Sequence, residues 1–168
     1  MKRGTTMKQY HNIQPIYNKQ SRILILGSFP SVKSREAQFF YHHPQNRFWK
    51  ILATLHHHEP LETIEAKKAF LLEHHIALWD VIESCQIKGS SDSSIEDVVV
   101  NDIHSILQKT QITHIYTNGK KAHQLYQKYC YPYTHIQDIC LPSSSPANAS
   151  FSLERLIKEW NIITLIEN

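Results

Sequence analysis

The sequence predicts an α/β fold in which four strands form one parallel sheet and helices cover both of its faces. Three observations carry this. Four short apolar runs are rich in β-branched residues, segments of helical period lie between them, and the two kinds alternate along the chain. The run Ile23 to Leu26, apolar throughout rather than at every second position, suits a strand buried on both faces, as in a parallel sheet. Right-handed crossovers then bring the carboxyl ends of the strands to one edge, where ligands of open α/β sheets bind.

Taken in order, residues 1–20 are polar and aromatic and are expected to form a peripheral N-terminal segment of a single domain spanning 1–168. Ile23 to Leu26, stopped by Gly27, reads as the first strand. Two helices follow: Asn46 to Leu55, with Phe48, Ile51, Leu52 and Leu55 on one face, and Leu61 to Glu73, with Ile64, Ala69, Leu71 and Leu72. Ile76 to Trp79, continued by Val81 and Ile82, reads as the second strand. Asn101 to Lys109 turns Ile103, Ile106 and Leu107 inward as a helix. Ile112 to Tyr116 is the third strand and runs through Thr117-Asn118-Gly119 into a helix from Lys120 to Tyr129. His135 to Leu141, ended by Pro142, is the fourth strand. A last helix spans Ser152 to Trp160, with Ser152 placed to cap it.

Bulk properties narrow the function classes. A chain of 168 residues with 41% hydrophobic and 20% charged residues suits one soluble domain. No run approaches the roughly 18 apolar residues that span a bilayer, and the first residues have no signal-peptide core, so no membrane role and a cytoplasmic location are expected. Cys85, Cys130 and Cys140 are scattered, odd in number and without a CxxC pair, which disfavours a disulfide framework or an iron–sulfur cluster. The net charge of +3 leans weakly towards a polyanionic partner.

Four loops at the expected ligand edge carry unusual residues. Gly27-Ser28-Phe29-Pro30-Ser31-Val32-Lys33-Ser34 offers a glycine for close backbone approach, together with hydroxyls, but lacks the glycines of a phosphate-binding or dinucleotide loop. Phe39 to Trp49 places three aromatics in succession before His42-His43-Pro44-Gln45-Asn46-Arg47. Three aromatics cannot all enter a core there, so one is expected at a pocket wall, where stacking a base is worth about 1–3 kcal/mol. Asn46 can cap the following helix, and Arg47 suits either solvent or a phosphate. Asn118-Gly119-Lys120-Lys121 opens a helix whose amides and lysines suit a phosphate, or forms an ordinary turn. Leu141-Pro142-Ser143-Ser144-Ser145-Pro146-Ala147-Asn148 is a proline-stiffened run of hydroxyls without glycine, suited to gripping a strand. Lys88 to Ser94, a further polar loop, either joins that face or caps a helix.

Gly27 to Ser31, Phe40 to Trp49 and Leu141 to Asn148, in that order, resemble the uracil-DNA glycosylase superfamily, and within it the hypoxanthine-DNA (deoxyinosine) branch. The His-Pro-x-Asn-Arg-Phe-Trp stretch is shared with the mismatch-specific uracil/thymine enzymes, the next nearest relatives. The resemblance implies a three-layer α/β/α sandwich and a monofunctional, metal-free enzyme acting on DNA; no cofactor and a monomeric state are expected. It places Asn46 as the catalytic residue. Gly27, Ser28, Phe29, Tyr41 and Asn118 are then expected to hold the base, with Tyr41 stacking on it. Ser31, Lys33, Ser34, Arg47, Lys120 and the run Ser143, Ser144, Ser145, Pro146, Ala147 and Asn148 are expected to bind DNA. Phe29 stands where relatives carry a water-positioning asparagine or aspartate, so the source of water activation is open. Excision of uracil or thymine, a non-catalytic DNA-binding domain, and a metal-dependent hydrolase using His42, His43 and His56 to His58 are the competing readings.

Overall fold

The computed structural model describes residues 7–10, 13–87 and 95–165. Four strands form the parallel sheet: β2 (Ile23–Gly27), β3 (Ile76–Asp80), β6 (His114–Asn118) and β7 (Ile139–Leu141), in the order β3-β2-β6-β7. The sequence-based expectation of a four-stranded parallel sheet between helices holds. Because side chains alternate across a strand, β2 feeds two cores. Ile23 and Ile25 face a cluster with Phe48, Ile51, Leu52, Phe70, Leu156 and Trp160, which lie on α2 (Phe48–Leu55), α3 (Ile64–Glu73) and α7 (Leu153–Trp160). Leu24 and Leu26 face a second cluster with Ile103, Ile106, Leu125 and Tyr126, on α4 (Ile103–Lys109) and α5 (Lys120–Tyr129). These two clusters fill the spaces between the sheet and the helices that form the outer layers of the sandwich.

The helix starts follow their caps. Thr63 accepts from Ala66 N–H at 3.0 Å, Asp102 from Ser105 N–H at 3.2 Å and Ser152 from Arg155 N–H at 3.1 Å. Each cap begins its helix at the next residue, so α3 and α4 start later than the apolar pattern alone indicated.

Several expectations are corrected. The run Ile76 to Ile82 is two strands, not one. Its parallel part ends at Asp80, and β4 (Ile82–Ile87) leaves for a second, antiparallel sheet, flanked by β1 (Met7–Tyr10) and β5 (Glu96–Val100) in the order β1-β4-β5. Part of the segment 1–20 is therefore structural: β1 pairs with β4, while Ile13 and Ile16 are buried in the first cluster. The third strand is displaced towards Asn118, because buried Thr117 donates its hydroxyl to Asp138 at 2.6 Å and belongs inside the sheet. The fourth strand is only three residues long. The residues before it form a short helix, α6 (Tyr131–Thr134), closed by His135 in the left-handed region at φ 59°. A further short helix, α1 (Val32–Ala37), occupies what read as loop; Ser31 caps it, accepting from Ser34 N–H at 3.1 Å. The Lys88 to Ser94 loop lies outside the described residues.

Candidate active site

Gly27, Asp80, Asn118 and Leu141 end the four parallel strands; the first three, with the segments that follow Gly27 and Leu141, surround a cavity of about 640 Å³ including its open mouth. Of the residues singled out in the sequence, Gly27, Ser28, Phe29, Ser31, Ser34, Tyr41, Asn46, Asn118, Ser143, Ser144 and Ser145 line it. Lys33, Arg47, Lys120, Pro146, Ala147 and Asn148 are not part of its wall. Tyr41 and Asn46, five positions apart, thus meet Ser144, 98 positions beyond Asn46, in one concave site.

Gly27 is what allows the wall to close. A Cβ there would lie 2.5 Å from Asp80 Oδ1 and 2.8 Å from the Tyr41 hydroxyl oxygen, well inside contact distance. Tyr41 itself has φ 51°, a conformation that a bulky residue holds only when its surroundings impose it. Its ring stacks on Phe48 with centroids 4.1 Å apart and planes 23° apart. One ring face is thereby braced against the core. Phe29 turns its side chain into the second core cluster, so the first loop supplies neither carboxylate nor amide from that position.

Asn46 sits two residues before the first residue of α2, and its side-chain oxygen accepts from Phe48 N–H at 2.9 Å. The N-cap position expected for Asn46 falls to Arg47, whose side chain makes no cap bond; Asn46 serves the first helical N–H from one residue further out, and a second bond adds to it. The Ser144 hydroxyl donates to the same oxygen at 2.8 Å. Ser144 is fully buried and is gripped by Asn118, which donates to its Oγ at 3.0 Å and accepts its backbone N–H at 2.9 Å. Asn118, expected to touch the base, spends both ends of its amide on Ser144. A similar relay joins the first two loops, where Ser34 Oγ accepts from His42 N–H at 2.9 Å and from the Ser31 hydroxyl at 3.2 Å.

Arg47 was expected at solvent or a phosphate, and the structure turns it onto the serine-proline loop instead. Its guanidinium donates to the carbonyls of Ser145 at 2.7 Å, Asn148 at 3.1 Å and Phe151, and more distantly to Ser144 at 3.4 Å. Its own backbone N–H donates to Ser144 O at 3.1 Å. Asn148 closes the same loop by donating from Nδ2 to Ser143 O at 3.0 Å. Lys33 and Lys120 are exposed beside the cavity, and Ala147 is exposed at the loop tip. Arg35 lies over the Phe29 ring at 5.1 Å, and burial pulls its guanidinium below the usual range, with Cys85 and Glu36 opposing.

Asp80 is the functional candidate that the sequence reading missed. It is buried, lines the cavity and ends the strand next to β2. Its signal was present: an acidic residue directly after the apolar run Ile76 to Trp79 is hard to explain as core. Among the described residues, no group of three or more histidine, cysteine, aspartate or glutamate side chains is placed to hold a metal ion, and no helix is long and apolar enough to cross a membrane.

Comparison with known proteins agrees with this fold. The family model for the Uracil DNA glycosylase superfamily matches residues 14–164. A hypoxanthine DNA glycosylase from Methanosarcina acetivorans is 33% identical over 150 residues, covering 88% of this chain and 93% of that protein. A hypoxanthine DNA glycosylase from Methanosarcina barkeri is 33% identical over 112 residues, covering 64% and 70%. A solution structure of an M. acetivorans protein, assigned as a uracil DNA glycosylase, superposes with a TM-score of 0.80 at 32% identity over 94% of this chain and 97% of that one.

Proposed function

The chain belongs to the uracil DNA glycosylase superfamily, and from that premise we propose that it is a DNA repair glycosylase hydrolysing the bond between deoxyribose and hypoxanthine, with Asn46 as the catalytic side chain. The observation that carries the assignment of the site is the single cavity in which Tyr41, Asn46 and the serine run meet. A base inside a duplex is out of reach of such a cavity, so it must be extruded at a cost of a few kcal/mol. Hypoxanthine pairs poorly with thymine, and the lesion itself lowers that cost. Tyr41, braced on Phe48, offers the extruded ring a plate.

The cavity also suits a deaminated edge. Deamination of adenine replaces an amino donor by a carbonyl and a bare ring nitrogen by N–H. An amide donor at Asn46 fits the new oxygen, and the carboxylate of Asp80 fits the new N–H. Adenine presents the opposite pattern to both groups. As the glycosidic bond breaks, positive charge develops on the sugar and negative charge on the departing base. Fixed donors in a water-poor cavity stabilise the latter most when that charge is greatest, and the DNA phosphates favour the former.

The serine-proline loop and the exposed Lys33 and Lys120 face the strand on either side of the extruded nucleotide and contact its phosphates. The enzyme works as a monomer in the cytoplasm, without metal. A panel of duplexes holding hypoxanthine, uracil or xanthine, cleaved with alkali after incubation, tests the substrate assignment. Hypoxanthine is expected to be excised fastest; faster excision of uracil or thymine opposite guanine would move the protein to the mismatch-specific group.

A further inference from the structure

We infer that Asn46 serves the reaction as a hydrogen-bond donor only, and that Ser144, held by Asn118, is the positioning residue that fixes it in that sense. The inference rests on the reading of this cavity as a glycosylase site. Two backbone amides decide the geometry, because an N–H can only donate. Phe48 N–H lies 2.9 Å from one terminal atom of Asn46, which must therefore be the carbonyl oxygen. Ser144 N–H lies 2.9 Å from a terminal atom of Asn118, which must also be oxygen, so the Asn118 amide nitrogen donates to Ser144 Oγ at 3.0 Å. A hydroxyl that accepts there directs its own proton elsewhere, and Asn46 Oδ1 at 2.8 Å receives it.

Two donors now fill the two lone pairs of the Asn46 oxygen. The two N–H groups on Nδ2 take no partner among the described residues, and Asn46 lines the cavity. An amide fixed this way accepts no proton and no hydrogen bond from an attacking water. It offers N–H to the oxygen or ring nitrogen of the departing base, where the interaction strengthens as negative charge builds. Burial of Ser144 keeps water from replacing its proton, so the orientation is held by the protein alone.

Asn46→Asp gives a test that a merely structural role would not pass. A carboxyl oxygen accepts as readily as an amide oxygen, so Phe48 N–H and the Ser144 hydroxyl still claim one oxygen. The other oxygen, facing the cavity, is an anion when ionised and a hydroxyl donor when protonated. The single-turnover excision rate of Asn46→Asp, divided by that of the parent protein at each pH, should rise about tenfold per pH unit on acidification. For a carboxyl group titrating near 3.9, that is roughly a hundredfold between pH 7 and pH 5. Ser144→Ala should cost at least about tenfold in the parent at unchanged DNA affinity, and less than about twofold in an Asn46→Ala background. A ratio that stays flat with pH, or a Ser144→Ala cost that is the same in both backgrounds, overturns the inference. If Ser144→Ala fails to fold, the Asn46→Asp profile decides alone. Failure of the parent protein to release hypoxanthine counts against the proposed function; a parent that releases it beside a flat Asn46→Asp ratio counts against this inference only.

Discussion

Replacing Arg47 by alanine separates two accounts of the same side chain. If it clamps the serine-proline loop, its removal strips donors from the carbonyls of Ser145, Asn148 and Phe151, and a weaker one from Ser144. Hydrogen bonds from charged donors are worth roughly 1.5–3 kcal/mol each where the acceptor stays buried. This loop is half exposed and its carbonyls can turn to water, so about 1 kcal/mol for each of the three shorter bonds is reasonable, or about 3 kcal/mol together. For a domain of this size that lowers the melting temperature by roughly 6–12 °C. Calorimetry reads the stability. Binding to a lesion-bearing duplex across a salt series reads the charge, since losing one phosphate contact lowers the slope of log K against log salt by about 1. The clamp predicts a large drop in melting temperature and an unchanged slope. A drop under about 2 °C with a slope reduced by about 1 refutes it and returns Arg47 to the DNA backbone.

Other perturbations give equally definite outcomes. Gly27→Ala pushes a methyl group to within 3 Å of both Asp80 Oδ1 and the Tyr41 hydroxyl. It should cost about 1–3 kcal/mol in denaturant unfolding and lower excision more than DNA binding. Asp80→Asn removes the only carboxylate that lines the cavity among the described residues; single-turnover rates on hypoxanthine should fall at least about tenfold while DNA affinity holds, and an unchanged rate would remove Asp80 from base recognition. Burial pushes the Cys130 thiol up to about 12 and raises Cys140 as well, where Asp138 adds to the effect while Thr117 and Lys120 oppose it. Alkylation requires the thiolate, so at pH 8 the native protein should leave Cys130 unmodified, with labelling rising only as pH approaches 12. Mass spectrometry of native and denatured samples checks this.

How much of this was legible in the sequence depended on whether a residue's role is local. The central strand announced itself because burial on both faces demands a continuous apolar run, as in Ile23 to Leu26, whereas the edge strand Ile139–Leu141 is partly exposed and its bounds were less legible. The capping of α7 by Ser152 was visible for the same kind of reason. The antiparallel sheet was not, since β5, Glu96–Val100, has no fully buried side chain and little apolar alternation. Its partner β4 merges in sequence with the end of β3. At the site, Tyr41 and Asn46 were readable from the unusual run around them. The roles of Asn118, Ser144 and Arg47 depend on contacts across 26, 98 and more than 100 positions, which no local pattern encodes. Arg47 shows this most plainly: an arginine beside a candidate DNA surface suggests a phosphate, and only the fold reveals four carbonyls waiting for it.

The most direct test of the central claim is a count of products. The protein is incubated with a duplex holding one deoxyinosine, free hypoxanthine is measured by chromatography with mass detection, and abasic sites in the recovered strand are counted in parallel. A glycosylase working through this cavity releases one free hypoxanthine per abasic site, leaves the strand unbroken until alkali is added, and loses most of both products on Asn46→Ala. Free base released at the parent rate by Asn46→Ala, or strand breakage without free base, would contradict the account.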